Sequence, residues 1–181
     1  MNFCSSCGER VVFRVPEGDN RERFLCEYCD TVHYQNPRVV AGCLPIWQDR
    51  VLLCRRAIEP RSGFWTLPAG FLENGETVQE GATRETLEEA CARVVDPDLY
   101  TMFSLPHISQ IYLFYRAELA DTGFSAGEET LEVALFTEQE IPWDNLAFPV
   151  ITETLRHFFA DRQSGVYPVR SQEIRRARRR W

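Results

Sequence analysis

Glu85, Glu88 and Glu89 stand at i, i+3 and i+4 in the run RETLEE, a spacing that sets three carboxylates on one face of an α-helix. Like charges so placed repel by a few tenths of a kcal/mol per pair. A cation relieves that repulsion. Carboxylate oxygens are hard donors, which suits Mg2+ or Mn2+ better than softer metals. A solvated acidic face is the plainer reading of such a run. A second donor set has the opposite character. Cys4-Ser-Ser-Cys7 and Cys26-Glu-Tyr-Cys29 are two C-x-x-C pairs with 18 residues between them. Four thiolates at that spacing close a tetrahedral structural Zn2+ site with no open position for substrate. His33 lies near the second pair, but four cysteines already complete the site, so a surface or packing role is expected for it.

The elements around these residues can be read from local pattern. Val11 to Leu25, between the cysteine pairs, reads as a hairpin that zinc would hold together. Asn36-Pro37 is a break, and the domain boundary is placed there: a zinc ribbon over 1–36, a main domain over 37–165 and an Arg-rich tail over 166–181. VVAGCLPIW and VLLCRRA flank Gln48-Asp49-Arg50 as adjacent strands, with Cys43 and Cys54 as small buried hydrophobes. TLPAGFLENGE then delivers Gly70 to the acidic helix. Asn74-Gly75 supplies a turn, Thr77 and Glu80 a capping box, and Val78, Ala82 and Leu87 an apolar side. Two further strand-like runs are joined around Leu105 to Gln110. A Gly-bearing loop with Glu128, Glu129 and Glu132 leads to another strand. Val150, Leu155, Phe158 and Phe159 make a helical core stripe, with Pro149 in its first turn.

The totals narrow the function classes. The chain has 181 residues and a net charge of −7. All 20 of its basic side chains are arginines. Six of them lie between Arg170 and Trp181 with one glutamate, which leaves −12 for the remainder. A basic tail could touch nucleic acid, and Arg10, Arg14, Arg21 and Arg23 give the ribbon some of the same character, although a solvated tail is the plainer expectation. No apolar run approaches the ~20 residues of a membrane helix, and the N-terminus lacks the apolar core of a signal peptide. A cytoplasmic protein without membrane contact is expected.

Gly70, then five residues, then Glu76, then seven residues, then RETLEE from Arg84 to Glu89, resembles the signature of the Nudix hydrolases. Two positions depart from it. Cys91 stands where the family has glycine, and Ala92 where it has a bulky aliphatic residue. Tyr34 to Pro37, YQNP, is similar to the junction of Nudix proteins that carry a zinc ribbon. The resemblance implies an α/β fold, a Nudix-type α/β/α sandwich with a mixed sheet preceded by a small zinc-ribbon hairpin module. It implies hydrolysis of a nucleoside diphosphate linked to a group X. Glu85, Glu88 and Glu89 would hold Mg2+ or Mn2+ with the backbone carbonyl of Ala69. Glu129, or second Glu132, would activate water, while Arg84 orients the carboxylates and Glu76 supports the loop. His107 is a candidate phosphate or base contact, and Phe64, Trp65 and Tyr112 are candidate stacking surfaces, each equally readable as core. YQNPRVVAGCLP, GFWTLPAGFLENGE and LFTEQEIPWDNLAF look like the plant FAD pyrophosphatase group and its bacterial relatives. FAD or ADP-ribose is therefore the favoured substrate, giving AMP plus FMN or ribose 5-phosphate. FSLPHISQ stands where NADH pyrophosphatases carry an SQPWPFP-like array, so NADH ranks lower. Nucleotide-cap RNA decapping is a further reading, and a non-catalytic nucleic-acid-binding ribbon protein is another. Relatives that pair suggest a homodimer.

Overall fold

The computed structural model describes residues 1–175. The chain separates into two compact units, Met1–Pro37 and a second from Arg38 onward. The first is a three-stranded antiparallel sheet of β1 (Val11–Arg14), β2 (Arg23–Cys26) and β3 (Val32–His33), in that order. Val11 pairs with Cys26 and Arg14 with Arg23, so the PEGDN segment closes the expected hairpin. Phe13 and Phe24 face each other across the pair, with ring centroids 4.9 Å apart. So small a unit buries little apolar surface, and sheet pairing alone would not hold it.

The second unit is built on a mixed sheet. Its strands are β4 (Arg38–Trp47), β5 (Arg50–Arg56), β6 (Trp65–Thr66), β7 (Ala69–Phe71), β8 (Val94–Leu105), β9 (Gln110–Leu119), β10 (Thr130–Phe136) and β11 (Arg170–Glu173). The order is β10-β5-β4-β9-β8-β11, with β6 beside β5 and β7 beside β4. β4 runs parallel to β9 and antiparallel to β5 and β7. Helix α1 (Val78–Ala90) and helix α2 (Pro149–Arg162) complete the unit.

Strand alternation explains why both sheet faces are covered. Leu44 and Ile46 of β4 and Val51 and Leu53 of β5 pack with Val150, Ile151, Leu155, Phe158 and Phe159 of α2. Their strand neighbours point the other way. Ala41 and Cys43 meet Ala82 of α1, and Leu52 and Cys54 meet Ala90. The residues facing α1 are small, so the helix lies close to the sheet. The Cys43 thiol donates to the Ala82 carbonyl at 3.4 Å. Both cysteines are buried hydrophobes, as the apolar runs around them suggest. Leu87 is not on the packed side of α1: it is exposed, and Thr86 takes the buried place beside Ala82 and Ala90.

The Arg-rich C-terminal stretch does not start as a tail. Arg170–Glu173 adds a parallel strand to β8 at the sheet edge. Residues 176–181, which hold four of its arginines, lie outside the described residues. The attachment is polar. Asp161 at the end of α2 accepts from Arg170 Nη2 at 2.6 Å, from Arg170 Nη1, and from the Tyr100 hydroxyl at 2.7 Å. No helix among the described residues is long and apolar enough to cross a membrane.

The Asp161 carboxyl is held below the ordinary aspartate range, first by the hydrogen bonds from Arg170 and then by that from Tyr100. A depressed carboxyl pKa stabilises the fold above the unfolded value, and the contribution disappears as pH falls through the folded value. Arg170→Gln should therefore cost about 2 kcal/mol at neutral pH. The gap in thermal midpoint between the variant and the parent should hold from pH 7 to about pH 5 and narrow below that, as pH falls through the unfolded aspartate value toward the lower folded one. A gap that stays constant with pH contradicts the assignment.

Candidate active site

Helix α1 begins where its sequence says it should. Thr77 accepts from the Glu80 amide at 3.2 Å, and Glu80 accepts from the Thr77 amide at 2.7 Å, so the capping box closes reciprocally. Arg84 sits one turn further on and uses all five of its N–H donors. It grips Glu76 in a two-pronged pair, Nε to Oε2 at 3.0 Å and Nη2 to Oε1 at 2.8 Å. Nη1 reaches Glu85 Oε1 at 2.8 Å and Glu88 Oε2 at 2.9 Å, and Nη2 also reaches the Phe71 carbonyl at 3.2 Å. Glu76 accepts in addition from the Glu73 amide at 2.8 Å. These bonds, Arg84 first, pull the Glu76 carboxyl down to about 2. Arg84 thereby joins the turn before the helix to the acidic helix face.

Two of the three spaced glutamates turn toward the backbone of β7. The Glu85 carboxylate lies so close to Gly70 that a Cβ there would come within 2.3 Å of its carbon and both oxygens. A side chain there would push the Glu85 carboxylate away from β7. Glu89 is buried, and its Oε2 accepts from the Ala69 amide at 3.3 Å. Burial pushes the Glu89 carboxyl up to about 8, and the charges of Glu85 and Glu129 add to the shift. Burial likewise raises Glu85. Glu88, by contrast, has a 58% exposed side chain and leans on Arg84. No three acidic side chains among the described residues bring their oxygens within 4.8 Å of one another. Placing Glu88 beside Glu85 and Glu89 on a shared ion requires it to leave Arg84 Nη1. The donor set nevertheless fits a hard divalent cation. It consists of carboxylates only, two of them drawn out of water against like charge, over a backbone cleared of its Cβ.

The far end of α1 is held by a loop. The Gly127 amide donates to the Glu89 carbonyl at 3.0 Å, and the Ser125 amide to the Ala90 carbonyl at 2.9 Å. Both acceptors are C-terminal helix carbonyls that lack an intrahelical partner. A Cβ on Gly127 would come within 1.8 Å of the Glu88 carbonyl oxygen, so the loop can sit here only with glycine. Loop pattern alone does not reveal this contact, although the glycine in SAGEE marks the place. Cys91 closes the helix in the left-handed region at φ 48°, ψ 24°, where a side chain costs about 1 kcal/mol relative to glycine. The loop leads directly to Glu129. The Glu129 carbonyl accepts from the Ala57 amide at 2.8 Å, and its charge bears on both Glu85 and Glu89. Glu132 lies elsewhere. It pairs with Arg55 at 3.5 Å across β10 and β5, so as second choice for water activation it is displaced.

The four candidate substrate contacts scatter. Trp65 is not a stacking surface. It is buried in the main core, edge-on to Phe136 with centroids 4.9 Å apart, and its carbonyl holds the Ala147 amide at 2.8 Å. Phe64 is half-buried beneath the Arg61 guanidinium, 5.0 Å from the ring centre. Tyr112 is half-buried on β9 beside Val40, whose other neighbour is Phe71 of β7. His107 is exposed in a short 3-10 turn, Pro106–Ile108, that joins β8 to β9. The Arg38 amide donates to the Ser109 carbonyl at 2.9 Å, which ties this turn to the start of β4.

In the first unit, the four cysteine sulfurs lie within 4.8 Å of one another. The Cys4–Cys29 separation is 3.7 Å and the Cys7–Cys26 separation 3.5 Å. A tetrahedron with 2.3 Å Zn–S bonds has edges of about 3.8 Å, so the cluster fits structural zinc. His33 has more than a packing role: it is buried, and its Nε2 lies 3.3 Å from Cys4 Sγ. Of the four ribbon arginines, Arg14 pairs with Glu27 and Arg23 with Asp19.

The NUDIX domain family matches residues 36–177, and a zinc-ribbon family described as Nudix N-terminal matches residues 2–35. A crystal structure of a NUDIX hydrolase from Nitrosomonas europaea is 53% identical, with a TM-score of 0.94 over 97% of this chain and 100% of that one. An NAD-capped RNA hydrolase NudC from Photobacterium profundum is 26% identical over 86% of this chain, and one from Vibrio vulnificus 28% identical over 89%. This chain spans 58% and 62% of their lengths. A bifunctional NMN adenylyltransferase/ADP ribose pyrophosphatase from Francisella tularensis, complexed with AMP and a Mn ion, shares the fold at a TM-score of 0.56. It is 17% identical over 72% of this chain and 42% of that one.

Removal of the ribbon metal tests the cysteine assignment. Zinc bound to cysteine thiolates contributes most of the folding energy of so small a unit. A strong zinc chelator should release one zinc per chain and abolish amide protection over residues 1–37. The residues from Arg38 onward, which have their own core, should keep theirs. Loss of less than one zinc, or unchanged protection in the ribbon, overturns it.

Proposed function

Because the chain belongs to the Nudix family, we propose that it is a metal-dependent pyrophosphohydrolase acting on a nucleoside diphosphate linked to a second group X. The observation that carries the proposal is the arrangement around Gly70, with Glu85 packed on its bare Cα and Glu89 on the neighbouring amide. Glu85, Glu88, Glu89 and the Ala69 carbonyl are the proposed holders of Mg2+ or Mn2+. Such ions, when bound, neutralise phosphate oxygens and acidify a water enough for attack near neutral pH. Arg84 positions Glu85 and Glu88 without touching substrate. Glu76 anchors Arg84 and the turn before the helix. Glu129 accepts the proton of the attacking water, since its charge acts on the same pair of carboxylates.

For the substrate, FAD or ADP-ribose comes first, with AMP and either FMN or ribose 5-phosphate as products. The stretches YQNPRVVAGCLP and GFWTLPAGFLENGE support this reading, and Val40, Ala41 and Gly42 of the first pair with Phe71, Gly70 and Ala69 of the second. An NAD-type substrate, either the free dinucleotide or an NAD cap on RNA, is the second reading. It is favoured by the names of the NudC relatives. Nucleic-acid binding by the ribbon draws little support from its charge. Glu9, Glu17, Asp19, Glu22, Glu27 and Asp30 outnumber Arg10, Arg14, Arg21 and Arg23.

Two measurements test these statements. Replacing Glu88 and Glu89 together with Gln removes two proposed metal donors. Turnover with Mg2+ should fall by about three orders of magnitude or more, while the thermal midpoint stays at or above that of the parent. Near-normal turnover in a folded double variant refutes the metal assignment. Product analysis on FAD, ADP-ribose, NADH and NAD-capped RNA should give the highest kcat/KM for FAD or ADP-ribose. NADH or the capped RNA as clear best substrate reverses the ranking.

A further inference from the structure

Among the described residues of the second unit, most arginines are paired with a carboxylate. Arg38, Arg50, Arg56 and Arg61 have none within 4.0 Å among the described residues. In a chain of net charge −7 that is unexpected, because acidic partners are plentiful. Topology separates the four. Arg50 opens β5 at its turn with β4, where it pairs with Trp47. Arg56 closes β5 and Arg38 opens β4, so the antiparallel pair returns both to the opposite end of the sheet. That is the end where Gly70 lies beside Ala41 and where the Glu129 carbonyl meets the Ala57 amide. Arg61 follows in the exposed loop after Arg56.

Arg56 and Arg38 each lie over an aromatic ring. The Arg56 guanidinium lies 5.3 Å from the centre of Phe148, and that of Arg38 lies 4.6 Å from the centre of Phe71. A ring face orients a guanidinium without cancelling its charge. Arg56 is further pinned through Nε, which donates to the Pro60 carbonyl at 2.9 Å. Its two terminal nitrogens have no hydrogen-bond acceptor among the described residues, and the Arg38 side chain has none at all. Arg56 is half-buried, so leaving those donors unused costs more than it would on an open surface. The half-buried phenol of Tyr112 feels both charges, which places it in the field of the pair.

We propose that Arg56 and Arg38 form an anion clamp that takes phosphoryl oxygens of the nucleotide. The clamp rests on the reading of the ligand as a nucleoside diphosphate derivative. Arg56, beside Glu129, is the inner contact, and two terminal nitrogens in one plane suit a two-pronged grip on phosphate. Arg38, exposed at the rim, is the outer one. The competing role for Arg56 is that of counter-charge to Glu89 alone.

Calorimetric binding of AMP and of adenosine, with Mg2+ present, separates these roles. In the parent protein, AMP should bind more tightly than adenosine. Arg56→Gln should weaken AMP by about tenfold or more and adenosine by less than about twofold. Arg38→Gln should weaken AMP by about threefold. Arg56→Lys, which keeps the charge but not the planar fork, should recover only part of the loss. AMP binding unchanged in Arg56→Gln, with Mg2+ binding tightened, means a counter-charge and overturns the clamp. So does equal binding of AMP and adenosine by the parent. Should Arg56→Gln fail to fold, Arg56→Lys and the exposed Arg38→Gln decide by the same criterion. Loss of phosphate-dependent binding in a protein that cleaves no dinucleotide would leave the clamp standing and remove the proposed hydrolysis.

Discussion

The Arg84 guanidinium is the contact on which the acidic site depends. Glu76, Glu85 and Glu88 all direct oxygens at it, and the Phe71 carbonyl takes a share of one nitrogen. Without it, three carboxylates would face one another across a helix face and a turn, with only water to screen them. With it, the turn that carries Glu76 is fastened to the middle of α1, and β7 is fastened to the same point through Phe71. Lysine could not replace it. One ammonium has three donors and no fork, whereas this site needs five donors spread in a plane. The same nitrogen, Nη1, holds Glu85 and Glu88 together, while Glu89 turns to the Ala69 amide instead.

Helix α1 is restrained at both ends by different means. The capping box at Thr77 is local, made within four residues. The C-terminal restraint is made across some 35 positions, by the amides of Ser125 and Gly127 on the carbonyls of Ala90 and Glu89. It couples the helix to the loop that carries Glu129, so movement of one shifts the other. Gly127 permits a separation that any side chain would forbid, whereas Gly70 at β7 leaves room for the Glu85 carboxylate, which a side chain there would displace. Cys91 works against this arrangement slightly. It occupies a left-handed position without the freedom of glycine, and the loop bonds offset the resulting strain.

What could be read in advance is what short-range pattern encodes. The capping box, the cysteine spacing, the β4–β5 pair and the apolar stripe of α2 each depend on residues a few positions apart, and each is present. Features that depend on distant partners were not legible. Trp65 has the composition of a stacking surface, but β6 pairs with β5 and turns its ring into the core against Phe136. Glu129 and Glu132 look equivalent along the chain. An irregularity in the β10–β5 register between Thr130 and Glu132 separates them, and Glu132 meets Arg55 instead of the acidic group. Arg170 reads as part of a basic tail until Asp161, nine residues back on α2, is seen to supply its partner. Leu87 looked apolar enough to pack, yet the smaller Thr86 takes the buried position because β4 offers only Ala41 and Cys43 opposite.

The chain keeps thiolate and carboxylate donors in two separate units, and the difference in hardness would sort ions between them. Thiolates bind zinc far more strongly than they bind Mg2+, and carboxylates with an open backbone beside them suit the harder ion. Zinc reaching the glutamates would find oxygen donors only, no three of them within 4.8 Å of one another, while the four sulfurs already stand at zinc spacing. The ribbon is therefore the stronger zinc sink of the two. The buried contact between His33 and Cys4 adds to that preference, because a hydrogen bond to a thiolate stabilises its charge and holds its orientation. The carboxylates would thereby be left to a harder ion where zinc is also present.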